Sequence, residues 1–236
     1  MRSHWDQLEE SLRRRKCGRD IMGYVTIFKY PKFATLAASG LLEEARAEDP
    51  TQYARLASQV SQRDGRTIQE YARDVIAGWV VEDSVLFWLN SHGVATRRAG
   101  VDADRSFAWS RNITNKADFI ITDNGREYPC ELASTYDDSW TRYDSVWLRC
   151  NKQQHVFDQG ALLLGADMYT GRFVTISPWQ DGLSYDDFYK FGKMGRRIFW
   201  PNGMKGAEYE TNNDTKIRNA IKAYEAQYDK WAGREA

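Results

Sequence analysis

The chain has 236 residues, with 33 lysines and arginines against 33 aspartates and glutamates, so its formal charge at neutral pH is zero. Hydrophobic residues make up 42% of the chain and aromatic residues 14%, which is enough for a substantial core and excludes global disorder. Neutrality excludes a polycation or an acidic tail. It does not exclude nucleic-acid binding, which depends on where the charges lie.

Composition also opposes membrane insertion, secretion and zinc binding. No apolar run approaches the roughly 18 residues that cross a bilayer, and the N-terminus lacks the apolar segment of a secretory signal. The cysteines, Cys17, Cys130 and Cys150, are odd in number and far apart, which predicts a reducing, cytoplasmic location. Because no His-x-x-x-His pair occurs, any bound metal is expected to have carboxylate ligands.

Two regions are distinguished along the chain. Residues 1–65 are predicted to form a helical N-terminal extension, and residues 66–236 an α/β core with a C-terminal helical region, all in one compact domain. Thr67 and Glu70 have the spacing of a capping box, which predicts that a long helix begins there. Gly93 is a suitable residue to end that helix.

Glu82 is out of place in the apolar stripe of this long helix. It lies three residues after Trp79 and four before Leu86, so it points where the apolar residues point. A carboxylate on a buried face is costly unless something pairs with it. Glu82 therefore serves a site, reaches solvent at the edge of the stripe, or forms a structural pair with Arg97 or Arg98.

The rest of the chain predicts alternating strands and helices. These are a strand within residues 94–101, a helix over 143–159, strands at 161–164 and 173–177, a mixed aromatic and basic region, and a C-terminal helix from Asp214 to Trp231. His155, within the predicted helix over 143–159, is interpreted as a surface or capping residue.

The strongest hairpin signal in the chain is Asn124-Gly125, because both residues tolerate the positive φ of a type I′ turn. With these two as the loop, Asp118 faces Glu131. Opposed side chains have Cβ atoms roughly 4.5–5.5 Å apart, so two carboxylates repel unless a cation or proton lies between them. The other face of the hairpin is apolar and is expected to pack on a core: Phe119, Ile121, Tyr128, Cys130 and Leu132.

The order of these features is similar to that of the PD-(D/E)XK nuclease superfamily, which includes most type II restriction endonucleases. Asp118 matches the first acid of the family, although Ala117 precedes it where the family has proline. Glu131 matches the second acid, and Glu82 the auxiliary helix glutamate. The resemblance covers roughly residues 67–178. It implies a restriction-endonuclease-like mixed central sheet flanked by helices.

The family lysine falls two residues after the second acid, where this chain has Ala133. The resemblance therefore implies a relocated lysine, which the family places on a neighbouring strand or on the following helix. Lys116 is the strand candidate and Lys152 the helix candidate. The hairpin register favours Lys116, because it pairs this residue with Ala133.

The resemblance implies that Asp118, Glu131 and Glu82 bind Mg²⁺ and that the protein hydrolyses DNA. A homodimer cutting double-stranded DNA as a type II restriction endonuclease is the favoured form. The alternatives are a junction-resolving nuclease, a non-catalytic nucleic-acid-binding module of the same fold, and a carbohydrate-active protein with paired carboxylates. Phosphate contacts are predicted for two basic groups: Arg13, Arg14, Arg15 and Lys16, and Lys190, Lys193, Arg196 and Arg197.

Overall fold

The structure is a computed structural model, and it describes residues 30–60, 65–109, 117–169, 172–179, 182–190, 193–199 and 214–234. The chain forms two compact units, Met1–Phe87 with Ala99–Lys116, and Trp88–Arg98 with Ala117–Ala236. Whether an extension ends at residue 65 stays a prediction. Within the described ranges, no helix is both long enough and apolar enough to span a membrane.

Helices dominate the first unit. They are α1 (Lys32–Ala38), α2 (Leu42–Glu48), α3 (Pro50–Gln59) and α4 (Ile68–Ser91), the last four residues of α4 belonging to the second unit. At the start of α4, the Thr67 N–H donates to Glu70 Oε2 (2.8 Å) and the Glu70 N–H to Thr67 Oγ1 (3.2 Å). These bonds confirm the predicted capping box. Gly93 follows the helix with a φ of 78°, as predicted for its end.

The second unit is an α/β structure with two sheets. In chain order its elements are β1 (Thr96–Arg98), β2 (Phe119–Asp123), β3 (Arg126–Thr135), α5 (Ser139–Tyr143), β4 (Ser145–Arg149), α6 (Cys150–Gln153), a π-helical turn (Gln154–Asp158), β5 (Leu162–Asp167), β6 (Arg172–Ile176), β7 (Ser184–Lys190), β8 (Lys193–Phe199) and α7 (Asp214–Trp231). The larger sheet has the order β1-β2-β3-β5-β6, and only its β3–β5 pair is parallel. The predicted mixed sheet and the C-terminal helix are confirmed.

The β2–β3 hairpin has the predicted register. Phe119 pairs with Cys130 and Asp123 with Arg126, and the loop residues Asn124 and Gly125 have φ values of 48° and 76°. The apolar face is buried as predicted, since all five of its side chains belong to the core. The two-residue turn thus fixes which residues of β3 stand beside the start of β2.

The predicted helix over residues 143–159 is wrong in its first part, where the chain forms β4. Val146 and Leu148 are buried and alternate with the more exposed Trp147 and Arg149, which is the two-residue period of a strand. β4 pairs with β8, and β8 with β7, in a separate three-stranded sheet. The β7–β8 hairpin lies in the region that the sequence predicted only as mixed aromatic and basic.

A core cluster joins β4 and β8 to the larger sheet. It contains Ala133, Trp140, Val146, Leu148, Val156, Leu163, Val174, Ile176 and Ile198. Gly165 on β5 allows this close packing, because a Cβ there would lie 2.5 Å from Val174 Cγ1 and 3.1 Å from the Trp140 ring. Val156 places the π-helical turn in the same core, which anchors the segment after β4 beside β3.

Candidate functional site

Three side chains from separate elements of the second unit meet at one point. The Lys152 ammonium, on α6, donates to Asp118 Oδ2 at 2.6 Å and to Glu131 Oε2 at 2.8 Å. Asp118 lies one residue before β2, and Glu131 lies in the middle of β3. The hairpin register brings the two acids together, and the helix after β4 supplies the cation that separates them.

Asp118 is fixed by the backbone of the neighbouring strand. Its Oδ2 accepts a hydrogen bond from the Leu132 N–H at 2.8 Å, in addition to the bond from Lys152. The ladder between β2 and β3 begins at Phe119, so the Asp118 side chain takes up a β3 donor where regular strand pairing ends. This carboxylate therefore has a fixed position at the open end of the hairpin.

Glu131 is buried, with only 1% of its side chain exposed, and each of its oxygens has a partner. Oε2 accepts from Lys152, and Oε1 is hydrogen-bonded to Nδ1 of His155 in the π-helical turn. Buried carboxylates are tolerated when they are paired in this way. Burial still raises the pKa of Glu131 above 4.5, since it outweighs the neighbouring ammonium.

The shared ammonium acts differently on Asp118. Burial alone would raise the pKa of Asp118, but the charge of Lys152 and the Leu132 N–H outweigh burial and lower the pKa below 3.8. Burial likewise opposes the charged form of Lys152, yet the two carboxylates raise its pKa above 10.5. Both shifts favour the charged forms of Lys152 and Asp118.

The cluster has a wet side and a dry side. The side chains of Lys152 and Asp118 are 29% and 22% exposed, whereas those of Glu131 and His155 are only 1% and 5% exposed. A ligand in solution can therefore reach the Asp118–Lys152 side. Cys130 points into the core, where burial raises the pKa of its thiol well above 9.0, so it supplies no thiolate nucleophile.

The donor set of the cluster suits a hard divalent cation. Asp118 Oδ2 and Glu131 Oε2 already converge on one positively charged atom, and the two carboxylates with one ammonium leave a formal charge of about minus one. Mg²⁺ prefers oxygen ligands and keeps several waters, so two protein carboxylates suffice for it. Among the described residues, no group of three or more histidine, cysteine, aspartate and glutamate side chains is placed to hold a metal ion.

Glu82 has a structural partner in the first unit. Arg105 donates to Glu82 Oε2 at 2.5 Å and also pairs with Asp83, while Arg97 pairs with Glu127 at 2.9 Å. Arg105 is itself buried and has a φ of 60°, so these ion pairs hold a strained backbone position. A metal-binding role for Glu82 stays a prediction.

Only some of the predicted replacement lysines and DNA-contacting residues lie within the described part of the chain. Lys152 is hydrogen-bonded to both acids. The favoured Lys116 lies outside the described residues, and so does the run Arg13, Arg14, Arg15 and Lys16. Lys190 and Lys193 are backbone partners at one end of the β7–β8 pair.

The two predicted DNA-binding arginines of β8 are neutralised by cross-strand partners on β7. Arg196 Nε donates to Asp187 at 2.7 Å, and Arg197 pairs with Asp186. Arg196 also stacks on Phe157, with its guanidinium carbon 5.1 Å from the ring centre. A phosphate contact by either arginine would therefore compete with an existing aspartate.

The sequence interpretation of His155 as a surface or capping residue is wrong. Its side chain is buried and contacts Glu131. A usable signal was present, since Lys152 and His155 are three residues apart and residues at that spacing share one helix face. The sequence did not indicate that this face meets β3, because the strand before α6 was not predicted.

Comparisons with known proteins found no relative of this chain. No family model matches the chain, and neither the curated proteins nor the solved structures contain a match to it.

Proposed function

We propose that this protein is a Mg²⁺-dependent endonuclease that hydrolyses DNA phosphodiester bonds, in the manner of the PD-(D/E)XK superfamily. The observation that carries the proposal is the meeting of Asp118, Glu131 and Lys152 at a partly exposed point. Two acids from a hairpin and a lysine from a following helix match the family constellation with its lysine relocated. An ordinary surface ion pair would not need three elements and a buried glutamate.

Each residue of this cluster has a chemical task in the proposed reaction. Asp118 and Glu131 would hold the magnesium ion, which supplies positive charge at the scissile phosphate when bound. Lys152 is within reach of the same position, and its ammonium stabilises negative charge that develops on the phosphate. Lys152 also lies between the two acids before the ion binds, and its charge offsets their mutual repulsion.

Double-stranded DNA and a homodimer complete the proposal. One cluster per chain cuts one strand, so a symmetric pair of chains supplies the two sites that a double-strand cut needs. The arginines of β8 suit phosphate binding in a form where DNA displaces Asp186 and Asp187. A type II restriction endonuclease is the specific form of this proposal.

The test is cleavage of plasmid and phage DNA with Mg²⁺ or with chelator, run beside a synthetic four-way junction. We expect discrete duplex fragments that depend on the metal and vanish in Asp118→Asn and Glu131→Gln. Asp123→Asn is the matched control, since Asp123 lies at the other end of β2 and also pairs with a lysine. It should cut like the wild type.

The outcomes separate the alternatives. Cleavage confined to the junction would replace the restriction activity with a junction-resolving one. Binding of DNA without cleavage in Mg²⁺ or Mn²⁺, by wild-type protein shown to be folded, would overturn the nuclease and favour the non-catalytic module. Cleavage that survives both acid substitutions would overturn the assignment of this cluster.

A further inference from the structure

Both oxygens of Glu131 are engaged from a single segment of chain. Lys152, on α6, donates to Oε2 at 2.8 Å, and Nδ1 of His155, in the π-helical turn that follows directly, is bonded to Oε1. The three-residue spacing puts both side chains on the same face of this segment. One continuous segment, α6 with the π-helical turn, therefore contacts both oxygens of the carboxylate.

The two contacts differ in how easily they can be exchanged. Lys152 lies at the wet side of the cluster, where an incoming cation can replace its ammonium. His155 lies on the dry side, with a side chain only 5% exposed, against a glutamate that is 1% exposed. We therefore expect the contact to Oε1 to persist when the contact to Oε2 changes, so that it keeps the carboxylate oriented.

The ring of His155 is devoted to this one contact. Its Nε2 is buried and has no hydrogen-bond partner among the described residues, and Glu131 is the partner of Nδ1. Because an ionised carboxylate only accepts, Nδ1 is the donor in this contact. The widened π turn that holds the ring is a local departure from α geometry, of a kind that recurs at functional sites.

We propose that His155 is a positioning residue for the metal-binding carboxylate: by holding Oε1 of Glu131, it directs Oε2 to the point shared with Asp118 and Lys152. The inference rests on the proposed function, because it assigns that point to a divalent ion. Outer partners of this kind orient a ligand and strengthen metal binding without touching the metal.

The test measures Mn²⁺ affinity of the whole chain by titration calorimetry, with no DNA present. His155→Leu removes the bond to Oε1, and we expect it to weaken Mn²⁺ binding about tenfold. His155→Asn carries an amide nitrogen at the place of Nδ1 and should recover most of the affinity. His155→Gln carries its amide at the place of Nε2 and should not. His92→Leu is the matched control, since His92 bonds the Trp88 carbonyl instead.

The outcomes distinguish the two proposals. Wild-type affinity in His155→Leu, or equal weakness in the asparagine and glutamine variants, overturns the role of His155 and leaves the nuclease intact. Absence of Mn²⁺ binding in the wild type overturns the metal site, and the inference with it. Unfolding midpoints are measured for each variant. If the leucine variant does not fold, the contrast between asparagine and glutamine decides the question alone.

Discussion

Strand β2 carries an acid at each end, and each acid shares a lysine with a second acid. At its start, Lys152 lies 2.6 Å from Asp118 and 2.8 Å from Glu131. At its end, Lys222 lies 2.5 Å from Asp123 and 3.0 Å from Glu225. The charges and distances at the two ends are nearly the same, so the ion pairs alone do not distinguish a functional site from a structural ion pair at the surface.

The surroundings of the two lysines differ. Lys222 is 57% exposed and lies three residues from Glu225 on one helix, so half of its arrangement follows from local sequence. Lys152 is half as exposed and joins acids from two other elements. A backbone N–H and a histidine further restrain those acids. Glu225 is buried as well, so the candidate site is marked by its less exposed lysine and by acids that have additional partners from other elements.

The largest expected contrast is in catalysis. Lys152→Met keeps the length of the side chain and removes the charge, and we expect DNA cleavage to fall about 10²- to 10³-fold, as when one charge-stabilising donor is lost. Lys222→Met should leave cleavage unchanged. Initial rates on one plasmid substrate at saturating Mg²⁺ measure both. If the two substitutions reduced cleavage equally, the two ends of β2 would not differ in function.

The same two variants should also differ in their free energies of unfolding, with a smaller contrast than in cleavage rate. Lys152→Met leaves two neighbouring carboxylates without their cation, and we expect it to reduce the free energy of unfolding by about 3 kcal/mol. Lys222→Met removes a lysine that is 57% exposed, although its partner Glu225 is buried, and should cost less, about 1 kcal/mol. Urea unfolding followed by tryptophan fluorescence gives both values. A loss in Lys222→Met as large as that in Lys152→Met would show that burial does not set the energy.

The stability loss in Lys152→Met should also depend on pH. In the wild type the ammonium helps to lower the pKa of Asp118, so its contribution is present above about pH 4 and is lost as the pH falls through the folded value. Without the ammonium, we expect burial to raise the pKa of Asp118 and to raise that of Glu131 further. Stability of the variant then falls as the pH rises, by about 1.4 kcal/mol for each pKa unit.

Unfolding of both methionine variants at about pH 5 and about pH 8 measures this dependence. We expect the difference between Lys152→Met and the wild type to be larger at about pH 8. The Lys222→Met variant is the comparison, and its difference from the wild type should change with the same sign but less, because Lys222 is 57% exposed. A Lys152→Met deficit that is larger at about pH 5 would contradict the sign.

The sequence predicted the parts of this site that follow from local rules. Asn124-Gly125 fixed the hairpin register, and the register alone put Asp118 beside Glu131. The bounds of α7 and the start of α4 also follow from local periodicity and capping. These features depend on residues close together in sequence, so no knowledge of tertiary contacts was required.

Features that depend on distant residues were not predicted. β4 was assigned to a helix because its partner strand β8 lies some fifty residues further along the chain, and pairing outweighs local propensity. The burial of His155 was not predicted for the same reason, because a strand before α6 changes which face of the segment meets β3. The choice between Lys116 and Lys152 needed that face as well.

The smallest predicted effect concerns the turn on which both ends of β2 depend. Gly125 has a φ of 76°, and among the described residues no atom lies within 4 Å of the place that an alanine Cβ would take, so Gly125→Ala should cost only about 1 kcal/mol of backbone strain. Gly65→Ala is the matched control, with a φ of 71° and similarly open surroundings in the first unit. Thermal unfolding and cleavage rates are compared for both. Because the strand pairs also hold the register, we expect cleavage to persist in both variants; loss of cleavage in Gly125→Ala alone would mean that the turn itself sets the distance between Asp118 and Glu131.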